Sequence, residues 1–264
     1  MNKEFAPDYP RSDEGWIIFP DDQSLRKSLF VQRVMPHPAK ANLYMLQSII
    51  EWVSEPGESI MDITAGTGSL MIASNIGRIV FCVDIEEHYY KLMLESYAKM
   101  VHKDVITIVN ADCRSLLPLP INHIIFSPPY AKQRIGKTPK KHQESTRQLA
   151  GTYQDSIDEY QQHPRNLGNL NRFLFNQEME KIYKLCYQSI IPPGTLTIII
   201  KDYIENQKRV SLSSWVIKTC IRIGFENIGW FKREALGTGF LKLWRSRGME
   251  TVDDEDIITF RKVK

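Results

Sequence analysis

Ser127-Pro128-Pro129-Tyr130 sets a small hydroxyl and an aromatic ring on either side of a rigid corner. Each proline fixes its own φ and donates nothing to a sheet ladder, so a strand running into the pair must stop there. A hydroxyl and a backbone carbonyl at such a corner can accept the N–H bonds of an amino group, while the ring stacks on the flat system that carries it. Three carboxylates stand ahead of this corner. Asp62-Ile63-Thr64-Ala65-Gly66-Thr67-Gly68 places its glycines where backbone must approach a ligand closely, at a strand-to-helix turn. Met71 occupies the position where a dinucleotide-binding loop wants a small residue, so a nucleoside without a pyrophosphate fits better than NAD. Asp84 ends the next apolar run, at the offset of a carboxylate that accepts both ribose hydroxyls. Asp112 ends the third run, where it could accept an adenine amino hydrogen. Singly, each acid is a common cap or turn residue. Three at successive strand ends read as a nucleoside-binding edge facing the corner.

The elements that must carry these residues follow from periodicity. Leu43, Leu46, Ile49, Ile50 and Val53 recur at helical spacing and stop before Pro56-Gly57. Apolar runs at 59–61, 79–83, 105–109 and 121–126 read as buried strands, with a helix opening at the glycine loop through Leu70 to Ile76 and another over 86–100. This alternation specifies an α/β fold with a mostly parallel, doubly wound sheet. Beyond Tyr130 the chain is polar and weakly periodic to 172. A helix over 173–190 follows, then Pro192-Pro193-Gly194, a strand from Leu196 to Ile200 ending at Lys201-Asp202, and a helix at 211–223. Strands at about 225–233 and 239–246 should close the sheet as an antiparallel hairpin at its edge, and the tail 250–264 is expected to add an edge strand. Residues 1–35, rich in Pro, Asp and Arg, read as an extended arm.

At 264 residues there is ample chain for one large α/β domain, and a net charge of +3 is too small to mark a nucleic-acid binder by itself. The four cysteines, Cys82, Cys113, Cys186 and Cys220, lack metal or disulfide spacing and read as reduced core residues of a cytosolic protein. The first residues lack an apolar signal core, and no run reaches membrane-spanning length, so the expected location is cytoplasmic. No His/Cys cluster has metal spacing. His37 should order a loop and His123 should be a strand residue. Lys208 and Arg209 read as a solvated face with phosphate contact as the alternative, and Lys201 as a pocket-lining or loop residue.

As a set, these residues resemble the AdoMet-dependent amino-methyltransferases, which methylate exocyclic nitrogens of DNA bases. The resemblance covers most of the chain, from His37-Pro38-Ala39-Lys40 through Asp62-x-x-x-Gly66-x-Gly68, Asp84 and Asp112 to Ser127-Pro128-Pro129-Tyr130. It implies a Rossmann-like methyltransferase fold with a seven-stranded sheet and S-adenosyl-L-methionine as cofactor. The cofactor would be held by His37, Pro38, Ala39 and Lys40, by Asp62, Thr64, Ala65, Gly66, Thr67 and Gly68, and by Asp84, Ile85, Asp112 and Cys113. Ser127, Pro128, Pro129 and Tyr130 would be catalytic. The chain then divides into an arm (1–36), a cofactor-binding and catalytic half (37–130), a target-recognition insertion (131–172) and the second half of the same domain (173–264). Lys132, Arg134, Lys137, Lys140 and Lys141 of the insertion would contact DNA. That insertion is short for a sequence-reading domain, so either recognition is simple or a second subunit helps; a cognate restriction endonuclease is a possible partner, and the protein is expected as a monomer or homodimer. Ser at the first motif position resembles the cytosine-N4 group, whereas the adenine-N6 group favours Asp or Asn. An adenine-N6 DNA methyltransferase is the first alternative, followed by an RNA guanine-N2 methylase, which usually brings a sizeable RNA-binding domain, and an idle nucleic-acid-binding partner subunit.

Overall fold

A computed structural model describes residues 3–35, 40–129, 163–205, 207–235 and 246–264. Its main sheet is built from β1 (Ser59–Asp62), β2 (Ile79–Asp84), β3 (Ile106–Asn110), β4 (Ile121–Phe126), β5 (Ile190–Ile200), β8 (Glu226–Glu234) and β9 (Asp254–Arg261); β6 (Tyr203–Glu205) and β7 (Lys208–Val210) form a separate two-stranded ribbon. The seven strands lie in the order β3-β2-β1-β4-β5-β9-β8. Strands β3 to β5 are mutually parallel, and β9 runs antiparallel to both its neighbours. The chain winds outward from β1 to β3, then returns to lay β4 on the other side of β1. Loops leaving β1 and β4 therefore diverge and open a crevice at the carboxyl edge.

Both faces of the sheet are covered. Ile60, Val80, Cys82, Ile125, Ile199 and Ile257 pack under α2 (Leu43–Val53), the 3-10 segment Ser69–Ile76, α3 (Glu87–Tyr97) and the N-terminal residues. Met61, Val83, Ile124, Phe126, Ile198, Ile258 and Phe260 pack under α4 (Cys113–Leu116), α5 (Arg172–Ser189) and α6 (Leu212–Ile223). Burial on both faces is why these strands read as unbroken apolar runs. Asn42, Asn171 and Ser211 cap α2, α5 and α6, each side-chain oxygen accepting a backbone N–H of the first turn. Gly194 lies where β5 crosses β4; a Cβ there would stand 1.9 Å from the Asn122 carbonyl, so only glycine fits.

Three expectations change. Residues 1–35 do not extend away: α1 (Gln23–Leu29) lies among them, Phe5 packs its ring 4.6 Å from Phe231 and 5.4 Å from Trp52, and Ile17 bridges Arg233 on β8. Their aromatics follow no period, which is why the stretch looks irregular as sequence. β8 pairs with β9, and the strand expected at 239–246 falls almost wholly within 236–245, outside the described residues. The tail strand is not at an edge, for β9 lies between β5 and β8. Finally, the segment after the glycine loop is 3-10 rather than α-helical, closed at both ends by glycines in the left-handed region.

Candidate active site

The crevice between β1 and β4 is a cleft of about 470 Å³ walled by the loops that follow β1, β2, β3 and β4. Its wall is assembled by hydrogen bonds between the motifs. Asp62 Oδ1 accepts the Thr64 N–H at 2.9 Å, turning the chain sharply as β1 ends. The Thr64 hydroxyl then donates to the Ser127 carbonyl at 3.0 Å, joining residues 63 apart in sequence. Asp84 Oδ2 accepts the Gly66 N–H at 2.7 Å and its Oδ1 the Glu86 N–H at 2.9 Å, so this carboxylate braces the glycine loop from the neighbouring strand. Ala65 adds an N–H bond to the Val83 carbonyl at 2.9 Å. Ser127, Pro128 and Pro129 line the same cleft, together with Thr67, Ile85 and Cys113. Among the described residues no hydrogen bond engages the Ser127 hydroxyl.

Burial dominates the electrostatics. It pushes Asp62 up to about 8, with the nearby Asp84 adding to the rise and the Thr64 N–H opposing it. Asp84 is pushed up to about 6, again by burial, against the bonds from Glu86 and Gly66. Lys40 lines the same cleft, donates to the Met35 carbonyl at 2.6 Å, and is lowered to about 8 by burial and by the neighbouring Arg26.

Two sequence-based residues have further partners. Asp112 lines the cleft, and its Oδ1 accepts the Arg114 N–H and Nε, at 3.0 and 2.9 Å, while its Oδ2 accepts from Arg114 at 2.8 Å and forms an ion pair with Arg165 at 3.0 Å. An adenine amino group would have to compete with these cations for the carboxylate. Burial alone would raise this carboxyl, yet the two guanidiniums outweigh it and hold Asp112 below the usual range. Gly68, read as a point of close approach to ligand, sits at φ +78°, where an L side chain is strained, and a Cβ there would also lie 2.7 Å from the Met71 methyl and 2.9 Å from Met93 Cγ. Met71 itself is buried in the core beneath the loop.

Several cleft residues carry no sequence signal. Glu86 accepts the His163 N–H at 3.1 Å and the Asn166 side-chain amide at 2.5 Å, pinning the segment 163–167 along the cleft beside Arg165. Arg26 is 1 % exposed and ties the N-terminal layer to the site through Asp22, Ser69 Oγ and the Ala41 carbonyl, at 2.6, 2.8 and 2.6 Å. Arg233 and Glu255 form part of the wall beyond Ser127, as does Lys201. Asp202 is turned away to the start of α6, accepting from Leu212 and Ser213. Arg209 is half-buried, bound to Asp202 and, by two bonds, to Asp254, so its guanidinium is engaged by carboxylates of the fold. His123 is a buried strand residue bonded to Thr195 and Glu58. His37, Pro38 and Ala39, Tyr130, and Lys132, Arg134, Lys137, Lys140 and Lys141 lie outside the described residues. All four cysteines are buried and free. Among the described residues no cluster of metal-ligating side chains forms, and no helix is long and apolar enough to cross a membrane.

Neither family models nor curated proteins match the sequence. Solved structures do match the fold. TrmN from Thermus thermophilus superposes with a TM-score of 0.55 at 13 % identity over 90 % of this chain, which spans only 53 %, about half, of TrmN. The cyclopropane synthase MmaA2 from Mycobacterium tuberculosis gives 0.55 at 11 % identity over 84 % of each chain. A methyltransferase from Pyrococcus furiosus gives 0.53 at 12 %, covering 92 % of this chain and 95 % of its own. The architecture is the Rossmann-like methyltransferase fold.

Proposed function

We propose that this chain is an AdoMet-dependent methyltransferase that acts on the exocyclic N4 of cytosine in DNA. The observation that carries the reading is the Thr64–Ser127 bond, which seats the Ser-Pro-Pro corner against a loop braced by Asp62 and Asp84 in one cleft. Residues on that wall fit a cationic nucleoside. Asp62 and Asp84 are carboxyls raised chiefly by burial, and a bound cation would favour their ionised form. AdoMet, when bound, supplies an electrophilic methyl group on a sulfonium sulfur. Asp84 would hold the ribose hydroxyls from the position where it already braces Gly66, and Lys40 would face a carboxylate. The Asp112 side chain orients Arg114 and Arg165, and an adenine amino group there would compete with them.

On the substrate side, the lone pair of an aromatic amine is delocalised into its ring and must be localised before it attacks. The Ser127 hydroxyl and the Pro128 carbonyl would accept the amino hydrogens, a fixed arrangement of acceptors that favours the tetrahedral nitrogen. Thr64 holds the Ser127 carbonyl and so restrains the corner. Extruding the base from a duplex costs a few kcal/mol, which stacking on Tyr130 would offset by about 1–3 kcal/mol. The test is transfer of labelled methyl from AdoMet to DNA, RNA and protein in parallel, followed by nucleoside analysis. N4-methylcytosine in DNA is expected; N6-methyladenine would move the target to adenine, and label only in RNA or protein would overturn the DNA reading.

A further inference from the structure

Ser127 shares its face of the sheet with a row of charged side chains that the mechanism above leaves unused. The register pairs Phe126 with Ile198 and Ile200 with Asp256, so Ser127 stands beside Ile199 and Lys201 beside Glu255; Glu255 in turn pairs with Arg233. Side chains alternate between faces along a strand. Since Ile125, Ile199 and Ile257 all face the N-terminal layer, Ser127, Lys201, Glu255 and Arg233 project to that same side at the carboxyl edge. All four line the one cleft. Arg233 Nε donates to Glu255 Oε2 at 2.6 Å, with the two side chains only 14 % and 15 % exposed. That bond sets the plane of the guanidinium, and the terminal nitrogens make no hydrogen bond among the described residues. A fork braced in this way suits an oxyanion.

We infer that this row is a phosphodiester subsite, in which Arg233, braced by Glu255 and flanked by Lys201, holds a backbone phosphate of the strand whose base stands at Ser127. The inference rests on the nucleic-acid reading given above. Reach favours phosphate over a base edge: strands lie about 4.8 Å apart, so Arg233 is about 14 Å across the edge from the strand carrying Ser127. One base held at Ser127 does not extend so far, whereas its sugar–phosphate does.

The experiment measures binding of short fluorescein-labelled single strands, DNA and RNA, to Arg233→Gln and Arg233→Lys across a salt series, with AdoMet affinity by calorimetry alongside. Arg233→Gln should weaken both oligonucleotides roughly tenfold or more, lower the salt slope by about one and leave AdoMet affinity in place. Arg233→Lys should restore the slope and only part of the affinity, because an ammonium lacks the fork. Wild-type affinity and slope in Arg233→Gln would overturn the subsite, as would a loss that follows base identity with no change in slope; methyl transfer by the wild type would then leave the functional reading standing. If the wild type neither binds nor methylates an oligonucleotide, both fall. Should Arg233→Gln lose its fold, seen as lost AdoMet binding, Lys201→Met is measured on the same two axes, and an unchanged slope there overturns the subsite.

Discussion

At the scale of single residues, two carboxyls set how the cleft responds to pH. Asp62 is raised to about 8 and Asp84 to about 6, against about 3.9 in an unfolded chain. The folded state thus binds more protons than the unfolded one between those values, so stability is highest in mild acid and declines as pH rises through 6 and then 8. Asp62→Asn should remove the upper part of that decline, which melting temperatures of both proteins from pH 4 to 9 would reveal; parallel curves would mean that Asp62 is already ionised in the fold. A second prediction concerns the bond between the motifs. Thr64→Val deletes a donor worth about 1 kcal/mol and frees the Ser127 carbonyl, so methyl transfer should slow while AdoMet affinity changes little. Thr64→Ser should rescue it, and single-turnover rates compare the three. Ser127→Ala should slow transfer with oligonucleotide binding nearly intact, read in the same assay. Asp62, Asp84 and Ser127 were legible as a constellation because each ends an apolar run. The true partners of Asp112 were not: Arg114 follows at a spacing without meaning in sequence, and Arg165 reaches it only through the fold.

At the scale of elements, the ion network beneath the β6–β7 ribbon joins what periodicity could only list. Arg209 of β7 links Asp202, at the end of β5, to Asp254, the first residue of β9; Lys232 of β8 pairs with Asp254 and with Asp256. Asp254 and Asp256 are fully buried. Removing one partner from such a group leaves charge uncompensated, so Arg209→Met should cost about 3 kcal/mol, lowered somewhat by the Lys232 that remains. Urea denaturation measures it, and a midpoint equal to the wild type would reduce Arg209 to a surface residue. The same network explains why the tail strand was expected at an edge and not inside the sheet. Its first half, Asp254-Glu255-Asp256, looks like solvated chain until cations on β7 and β8 are seen to neutralise it. By contrast β1, β2, β4 and β5 were visible because their neighbours are apolar on both faces. The glycine loop was visible too, although the left-handed turn at Gly68 and the methionines behind it were not.

At the scale of the whole molecule, the winding of the sheet brings residues from the chain's beginning, middle and end around one crevice, so the site reports on the completeness of the fold. The strand order also has a consequence for synthesis. β9 emerges from the ribosome after every other strand of the sheet, yet its place is between β5 and β8. Until it arrives, β5 lacks its antiparallel neighbour, and β8 is held, among the described residues, by the bridge at Ile17 and by the packing of Phe231 on Phe5 and Trp52. Parallel strands earlier in the chain can assemble as they appear, whereas the wall bearing Glu255 and Arg233 cannot. Ribosome-bound chains stalled just before β9 clears the tunnel should therefore be cut readily by protease in β8 and fail to retain AdoMet, and both properties should reverse together once β9 is released. A chain cut short before residue 254 would then be recognisable to the cell by its open edge well before any lost reaction was felt.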